Sequence, residues 1–275
     1  MKPKKVLVIQ TAFIGDVILA TSLLENIHLQ FPEAQIDFLV RKGNETLFHQ
    51  HPFLNKILIW HKKEGKYSSL LQLLQQIRST KYDWVINLQR YGATGILTGF
   101  SKSPVKSGFD KNPFSFLFTH RVKHDFEVGK HEIHRNYNLL LPYTQLPVAN
   151  PRLYPSASDL EQVAPYKQQP YICMAPASVW FTKQYPEHKW VELIDAFEGK
   201  YQIYILGAPS DAAMADRIIA QCKYAQSTFK LTGKLSLLQS AALMKDSIMN
   251  YVNDSAPMHL CSAVDAPVTA IFCST

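Results

Sequence analysis

The sequence predicts an α/β protein of two Rossmann-like domains, each built on a parallel sheet, facing each other across a central cleft. Three observations carry this. The chain has 275 residues, enough for two domains at roughly 150 residues each. Short β-branched runs alternate with segments of helical period over most of its length. The alternation lapses once, between Pro142 and Pro170, where six prolines fall among polar residues. The boundary is put in that lapse, giving domains 1–155 and 156–275.

In the first half, residues 6–10 read as a buried strand, and Val17, Ala20, Leu24 and Ile27 then recur at helical spacing until Pro32 stops them. Strands are expected over 36–40 and 57–60. A helix on Leu70, Leu71, Leu74 and Ile77 leads to another strand over 84–87. The second half begins with strand 171–174, helix 189–197, strand 202–206 and helix 212–222. A helix around Leu238, Ala241 and Ala242 follows, then strand 248–252, helix 258–263 and strand 268–272. A doubly wound domain ordinarily continues with a loop and a helix over its last strand, so the second domain is expected to be incomplete at the C-terminus.

Composition narrows the function. Apolar residues make up 47% and charged residues 19%, which excludes a disordered chain. The net charge of +7 and a pI near 9.1 suit an anionic partner, whether nucleotide, nucleic acid or a phosphate-rich membrane face. Cys173, Cys222, Cys261 and Cys273 are scattered, with no Cys-x-x-Cys pair, against a disulfide framework or structural zinc and in favour of a reducing compartment. They are expected to be small buried apolar residues. Gln10, Gly15 and Asp16 interrupt the apolar N-terminal run too early for a signal peptide, and no stretch approaches the roughly 18 apolar residues of a spanning helix. A cytoplasmic protein is expected, at most peripheral at a membrane surface.

Three strand-to-helix segments could carry chemistry. Thr11-Ala12-Phe13-Ile14-Gly15-Asp16 follows the first strand, where open α/β sheets bind ligands. It is neither a dinucleotide fingerprint nor a Walker loop. Gly15 would let the backbone approach a ligand, and Asp16 serves either as a general base toward an acceptor hydroxyl or as a cap of the helix that follows. The second segment runs from Ala175 to Glu187. Its Ser178, Thr182 and Lys183 could present hydroxyls, amides and an ammonium to a diphosphate, although a lone Lys is usually only solvated. Trp180 either stacks on a ligand or fills the core.

The third segment is Asn253-Asp254-Ser255-Ala256-Pro257-Met258-His259, a well-formed helix start with Asp254 or Ser255 at the cap and Pro257 in the first turn. Amides at such a start form an anion site. Gly207 and Asp211 end another strand of the second half; Asp211 could accept from a ribose or cap the next helix. His131, Glu132 and His134 lack an evident further ligand, and no metal is expected.

These segments, with Trp180-x-x-Lys183-x-x-Pro186 between them, resemble glycosyltransferase family 9, the heptosyltransferases, over essentially the whole chain. The resemblance implies the GT-B fold and an inverting, metal-independent cytoplasmic enzyme without a cofactor. It would move heptose from ADP-heptose to the lipopolysaccharide inner core, a lipid A/Kdo-type glycolipid acceptor. It further implies Asp16 as catalytic base and Lys183 on the donor phosphates, with Asp254, Ser255, Ala256 and His259 at the donor-binding helix start. Gly207 and Asp211 would face the nucleoside. Thr11, Gly15, Lys62 and Lys63 would lie on the acceptor side, the two lysines toward its phosphates. The first domain would thus bind acceptor and the second donor.

The chain departs from the family pattern at Ala256, where Gly is usual, and over 272–275, where a Phe-Gly-x-Thr turn is usual; the family's chains also continue further. Three other readings stay open. One is a related enzyme with another nucleotide-sugar, and one is a truncated, non-catalytic binding homologue that an Asp16→Asn change would leave unaffected. The last is a nucleic-acid protein, suggested by charge alone and marked by steeply salt-dependent binding.

Overall fold

Lys5–Ile9 form the central strand β1 of the first sheet, and the side chains of Val6, Leu7, Val8 and Ile9 are wholly buried. A parallel strand covered on both faces has no solvent side, which is why it reads as an unbroken apolar run. The structure is a computed structural model that describes residues 2–62, 65–125 and 131–273. The chain divides into two units, Met1–Arg152 and Leu153–Thr275.

In the first unit, β1 is flanked by β2 (Gln35–Arg41), β3 (Leu54–Trp60), β4 (Trp84–Asn87), β5 (Val105–Phe109) and β6 (His120–Val122). The strands are parallel in the order β3-β2-β1-β4-β5-β6, the doubly wound order. Val8 pairs with Phe38 on one side and Ile86 on the other. Helices α1 (Ile14–Gln30), α2 (Lys66–Thr80), α3 (Gly92–Gly99) and α4 (Glu132–Tyr137) connect and cover the strands. Leu7, Ile9, Leu39, Trp60, Ile77 and Leu97 share one core between the sheet and helices α2 and α3.

The second unit starts with α5 (Ala157–Val163) and then alternates: β7 (Tyr171–Ala175), α6 (Glu187–Asp195), β8 (Gln202–Ile205), α7 (Ala212–Gln221), β9 (Thr228–Lys230), α8 (Leu237–Lys245), β10 (Asn250–Asn253), α9 (Ala256–Ala263) and β11 (Val268–Ile271). Its parallel order is β11-β10-β7-β8-β9. Trp190 of α6 and Ile218 of α7 pack on Ile172, Ile203 and Ile205.

Several expectations are corrected. The proline-rich stretch is not uniformly irregular: Ser156 and Asp159 form a reciprocal capping box, with backbone-to-side-chain bonds of 3.2 and 2.9 Å, that starts α5. The preceding residues are tied to α1, whose buried Thr21, Ser22 and Asn26 bond the backbone of Arg152, Ala149 and Pro147 at 2.6–3.0 Å. Those bonds carry the first unit as far as Arg152. The elements α3, β5, β6, α4 and β9 are, like α5, additional to those expected. Gly95 in α3 has no room for a side chain against Asn112, so the helix is glycine-rich for packing and shows no apolar period. Cys173, Cys222 and Cys261 are buried as expected, whereas Cys273 is half-exposed. Among the described residues, no helix is long and apolar enough to cross a membrane.

His51 gives the first unit an acid-sensitive point. It sits edge-on to Phe53, on whose ring His28 stacks at 4.2 Å. Burial, and then the neighbouring His28, push its pKa down to about 4. The unfolded chain therefore takes up a proton near pH 6.5 that the folded chain refuses until about pH 4. Stability is full above pH 6.5, falls by up to about 3 kcal/mol as the pH drops through that window, and levels off below it. Urea midpoints between about pH 7 and pH 4 should show this fall, and His51→Phe should remove most of it.

Candidate active site

A Rossmann sheet offers its binding crevice where strand order reverses, beyond the carboxyl ends of the two strands concerned. In the first unit these strands are β1 and β4. The loops leaving them, residues 10–13 and 88–91, line a pocket of about 430 Å³ together with Asp16, Arg41, Lys62, Glu132 and Arg135. Asp16 lies in the first turn of α1, and its Oδ2 accepts from the Phe13 N–H at 3.1 Å. The capping role is thus present, and the same carboxylate faces the pocket.

The charged walls are held in place by local contacts. Lys62 Nζ donates to the Thr11 carbonyl at 2.9 Å and stands 4.5 Å from the centre of the Trp60 ring. Arg41 stacks on Phe13 at 4.7 Å, and Arg90 lies 5.9 Å from the Tyr91 ring centre. Gln89 Nε2 donates to Gln10 Oε1, which locks the two loops together. The buried Thr11 Oγ1 and Gln89 Oε1 line the pocket without a hydrogen-bond partner. Such atoms cost on the order of 1–3 kcal/mol unless water or a ligand satisfies them, so this wall of the pocket is polar.

The electrostatics are uneven. His124, on the pocket wall, has its pKa lowered by burial and then by Arg135, Lys111 and Arg90. Glu132 goes the other way: burial and the nearby Asp16 carboxylate raise it to about 7, against the opposing pull of Arg135 and Asn136. Arg41, Gln89, Arg90 and Arg135 are not among the residues singled out from the sequence, and Glu132 is considered there only as a metal ligand beside His131 and His134. Arg41 ends a strand and Arg90 follows one, so position at carboxyl ends was the available signal. Gly15 is the second residue of α1 and is not among the lining residues. Lys63 lies outside the described residues.

In the second unit strand order reverses between β7 and β10, and the expected segments leave those strands. Asn253, the last residue of β10, stitches the two loops together: its Nδ2 donates to the Pro176 carbonyl at 2.6 Å and its Oδ1 accepts from the Tyr185 N–H at 3.2 Å. Gln184 Nε2 closes the β7 loop on the Ser178 carbonyl at 2.7 Å. Lys183 Nζ meets Asp254 Oδ2 at 2.5 Å, both side chains partly exposed.

Ser255 is the N-cap of α9, but its hydroxyl makes no cap bond and turns to the Ala177 and Asn253 carbonyls at 3.4 Å. Ala256 and Pro257 then open the helix, and His259 stands one turn in. Trp180 does not fill the core: Val179, Trp180 and Phe181 are 85, 64 and 85% exposed. Thr182 is exposed beside them. Asp211 is engaged locally, accepting from the Ala208 N–H at 2.7 Å and lying so close that Gly207 has little room for a side chain. Among the described residues, no group of three or more His, Cys, Asp or Glu could hold a metal ion.

The family model described as glycosyltransferase family 9 (heptosyltransferase) matches residues 70–275. The chain belongs to glycosyltransferase family 9. Its relatives include lipopolysaccharide heptosyltransferase 3 of Escherichia coli, 26% identical over 95% of this chain and 80% of that one. The crystal structure of a family 9 glycosyl transferase from Veillonella parvula superposes with a TM-score of 0.88 at 22% identity, covering 97% of this chain and 80% of the other. An E. coli heptosyltransferase with ADP-2-deoxy-2-fluoro heptose gives 0.78 at 19%, covering 97 and 88%. The two parallel sheets of this family 9 enzyme are accordingly those of the GT-B fold.

Proposed function

We propose that this glycosyltransferase transfers heptose from ADP-heptose to the lipopolysaccharide inner core with inversion at the anomeric carbon. The observation that carries the reading is Asp16: a carboxylate at the switch point of the first sheet, in a pocket whose other walls bear Arg41, Lys62, Arg90 and Arg135. A sugar hydroxyl is a poor nucleophile near neutral pH and needs a base within reach, and a phosphorylated glycolipid acceptor needs cations. The names of the relatives, which are lipopolysaccharide heptosyltransferases, support the donor and acceptor classes.

In this reaction the acceptor oxygen attacks the anomeric carbon, its proton passes to Asp16, and the bond from that carbon to the diphosphate oxygen breaks to release ADP. A single displacement inverts the centre. Lys183 neutralises the charge that builds on the leaving diphosphate. The amides at the α9 start, with Ser255, Ala256 and His259, hold the donor, together with Ser178 and Thr182, and Asp254 serves that site by holding Lys183 in position. Gly207 and Asp211 shape the turn toward the nucleoside. Thr11, Gly15 and Lys62 lie on the acceptor side, so the first unit is the acceptor domain and the second the donor domain. Lys183 gives the leaving group a cation of its own, and the reaction is proposed to need no metal. The enzyme is placed in the cytoplasm, working at the inner face of the inner membrane, where the glycolipid acceptor presents its head group.

Calorimetry with ADP-heptose and other nucleotide-sugars tests the donor, and transfer to a Kdo–lipid A glycolipid in the presence of EDTA tests the reaction. The expected result is saturable binding of ADP-heptose and transfer that EDTA leaves unchanged. Equal binding of every nucleotide-sugar would overturn the heptose assignment, and loss of transfer in EDTA would overturn metal independence.

A further inference from the structure

A second carboxyl shares the pocket of Asp16. Glu132 is the first residue of α4, α4 packs against α1, and the first turns of both helices send a carboxyl into the same space. We propose that Glu132 is a substrate-positioning residue that donates a hydrogen bond from its carboxyl O–H to an oxygen of the acceptor, while Asp16 takes the proton of the attacking hydroxyl. This rests on the acceptor reading of the pocket given above.

The surroundings favour a neutral carboxyl. Two acids in one partly desolvated pocket do not both ionise freely, and Glu132 is the one pushed up, to about 7, by burial and then by Asp16. The cations around it are turned elsewhere: Arg41 from the end of β2 to Phe13, Lys62 from beyond β3 to the Thr11 carbonyl, and Arg90 from beyond β4 to Tyr91. Among the described residues, Arg135 on the same helix is the cation that pulls on Glu132, at 4.0 Å. His131, the N-cap of α4, and His124 beyond β6 both have their pKa values lowered by burial first, which disfavours their charged forms.

Thr11 Oγ1 and Gln89 Oε1 are buried in this pocket without partners, and a carbonyl oxygen such as Gln89 Oε1 can only accept. This wall therefore offers acceptors to the hydroxyl protons of a polyhydroxyl ligand, whose own oxygens need donors. The Glu132 O–H supplies one, beside a carboxylate that only accepts.

The test is kcat/KM for a Kdo–lipid A glycolipid, at saturating ADP-heptose, across about pH 6 to 8.5. The wild type should lose about tenfold per pH unit above the Glu132 transition near 7. Glu132→Gln keeps a donor at every pH; it should stay within about threefold of wild type at low pH and show no alkaline fall. Glu132→Ala should lose about tenfold or more, chiefly through KM. An unchanged alkaline limb in Glu132→Gln, or a Glu132→Gln as slow as Glu132→Ala, would overturn the proposal. Should that variant misfold, calorimetry on the wild type above the transition decides: acceptor binding in two buffers of different ionisation enthalpy should show proton uptake, and none would overturn it. An inactive wild type would instead sink the function on which this rests; failure of the inference alone shows in an active wild type.

Discussion

Asp16→Asn should lower kcat for heptose transfer by about a hundred- to ten-thousand-fold, the range general-base groups contribute, while ADP-heptose affinity stays within about twofold. The substitution keeps the size of the side chain and an oxygen able to accept from the Phe13 N–H, the bond Asp16 makes at 3.1 Å. The start of α1 therefore survives, and the loss belongs to the missing charge and basicity. Asp16→Ala removes the cap bond as well and should add about 1 kcal/mol of destabilisation without a further kinetic loss of comparable size. Steady-state kinetics beside thermal melts separates the two. An Asp16→Asn variant of near wild-type rate would mean that Asp16 is a cap alone and that the base lies elsewhere in the pocket.

The parts of the fold visible in the sequence are those whose burial leaves a linear trace. Val6 to Ile9 and Ile172 to Ala175 are central strands covered on both faces, so they appear as apolar runs. The elements α3 and β6 left no such trace. The first is fitted by glycines against Asn112 and Leu117, and the second is a three-residue edge strand. The site divides the same way. Asp16, Lys183 and Asp254 each follow a strand, so position beyond a carboxyl end singles out their loops, and the family resemblance adds roles. Arg41, Arg90 and the α4 pair Glu132 and Arg135 come from three distant segments, and what joins them is the strand order β2-β1-β4 and the packing of α4 on α1. Pattern within a window carries no information about that order. Nor does it show that Lys183 and Asp254, 71 positions apart, close on an ion pair.

That ion pair makes Lys183→Ala the second large effect. The variant should bind ADP-heptose about a hundredfold more weakly, roughly 2.7 kcal/mol, and lose kcat as well. Two causes add. The ammonium no longer meets the diphosphate, and the Asp254 carboxylate, now without its cation at 2.5 Å, confronts an anionic donor at the start of α9. The pair is partly exposed and contributes at most about 1 kcal/mol to folding, so the variant should melt close to wild type. Removing the second cause alone is possible: Lys183→Ala combined with Asp254→Ala should recover part of the lost affinity but none of the lost kcat. Donor titrations of the single and double variants distinguish this from simple additivity. If Lys183→Ala binds donor as tightly as wild type, the diphosphate does not sit at the β7 loop. If the double variant binds more weakly than the single one, Asp254 contributes to the donor directly, beyond holding Lys183 in position.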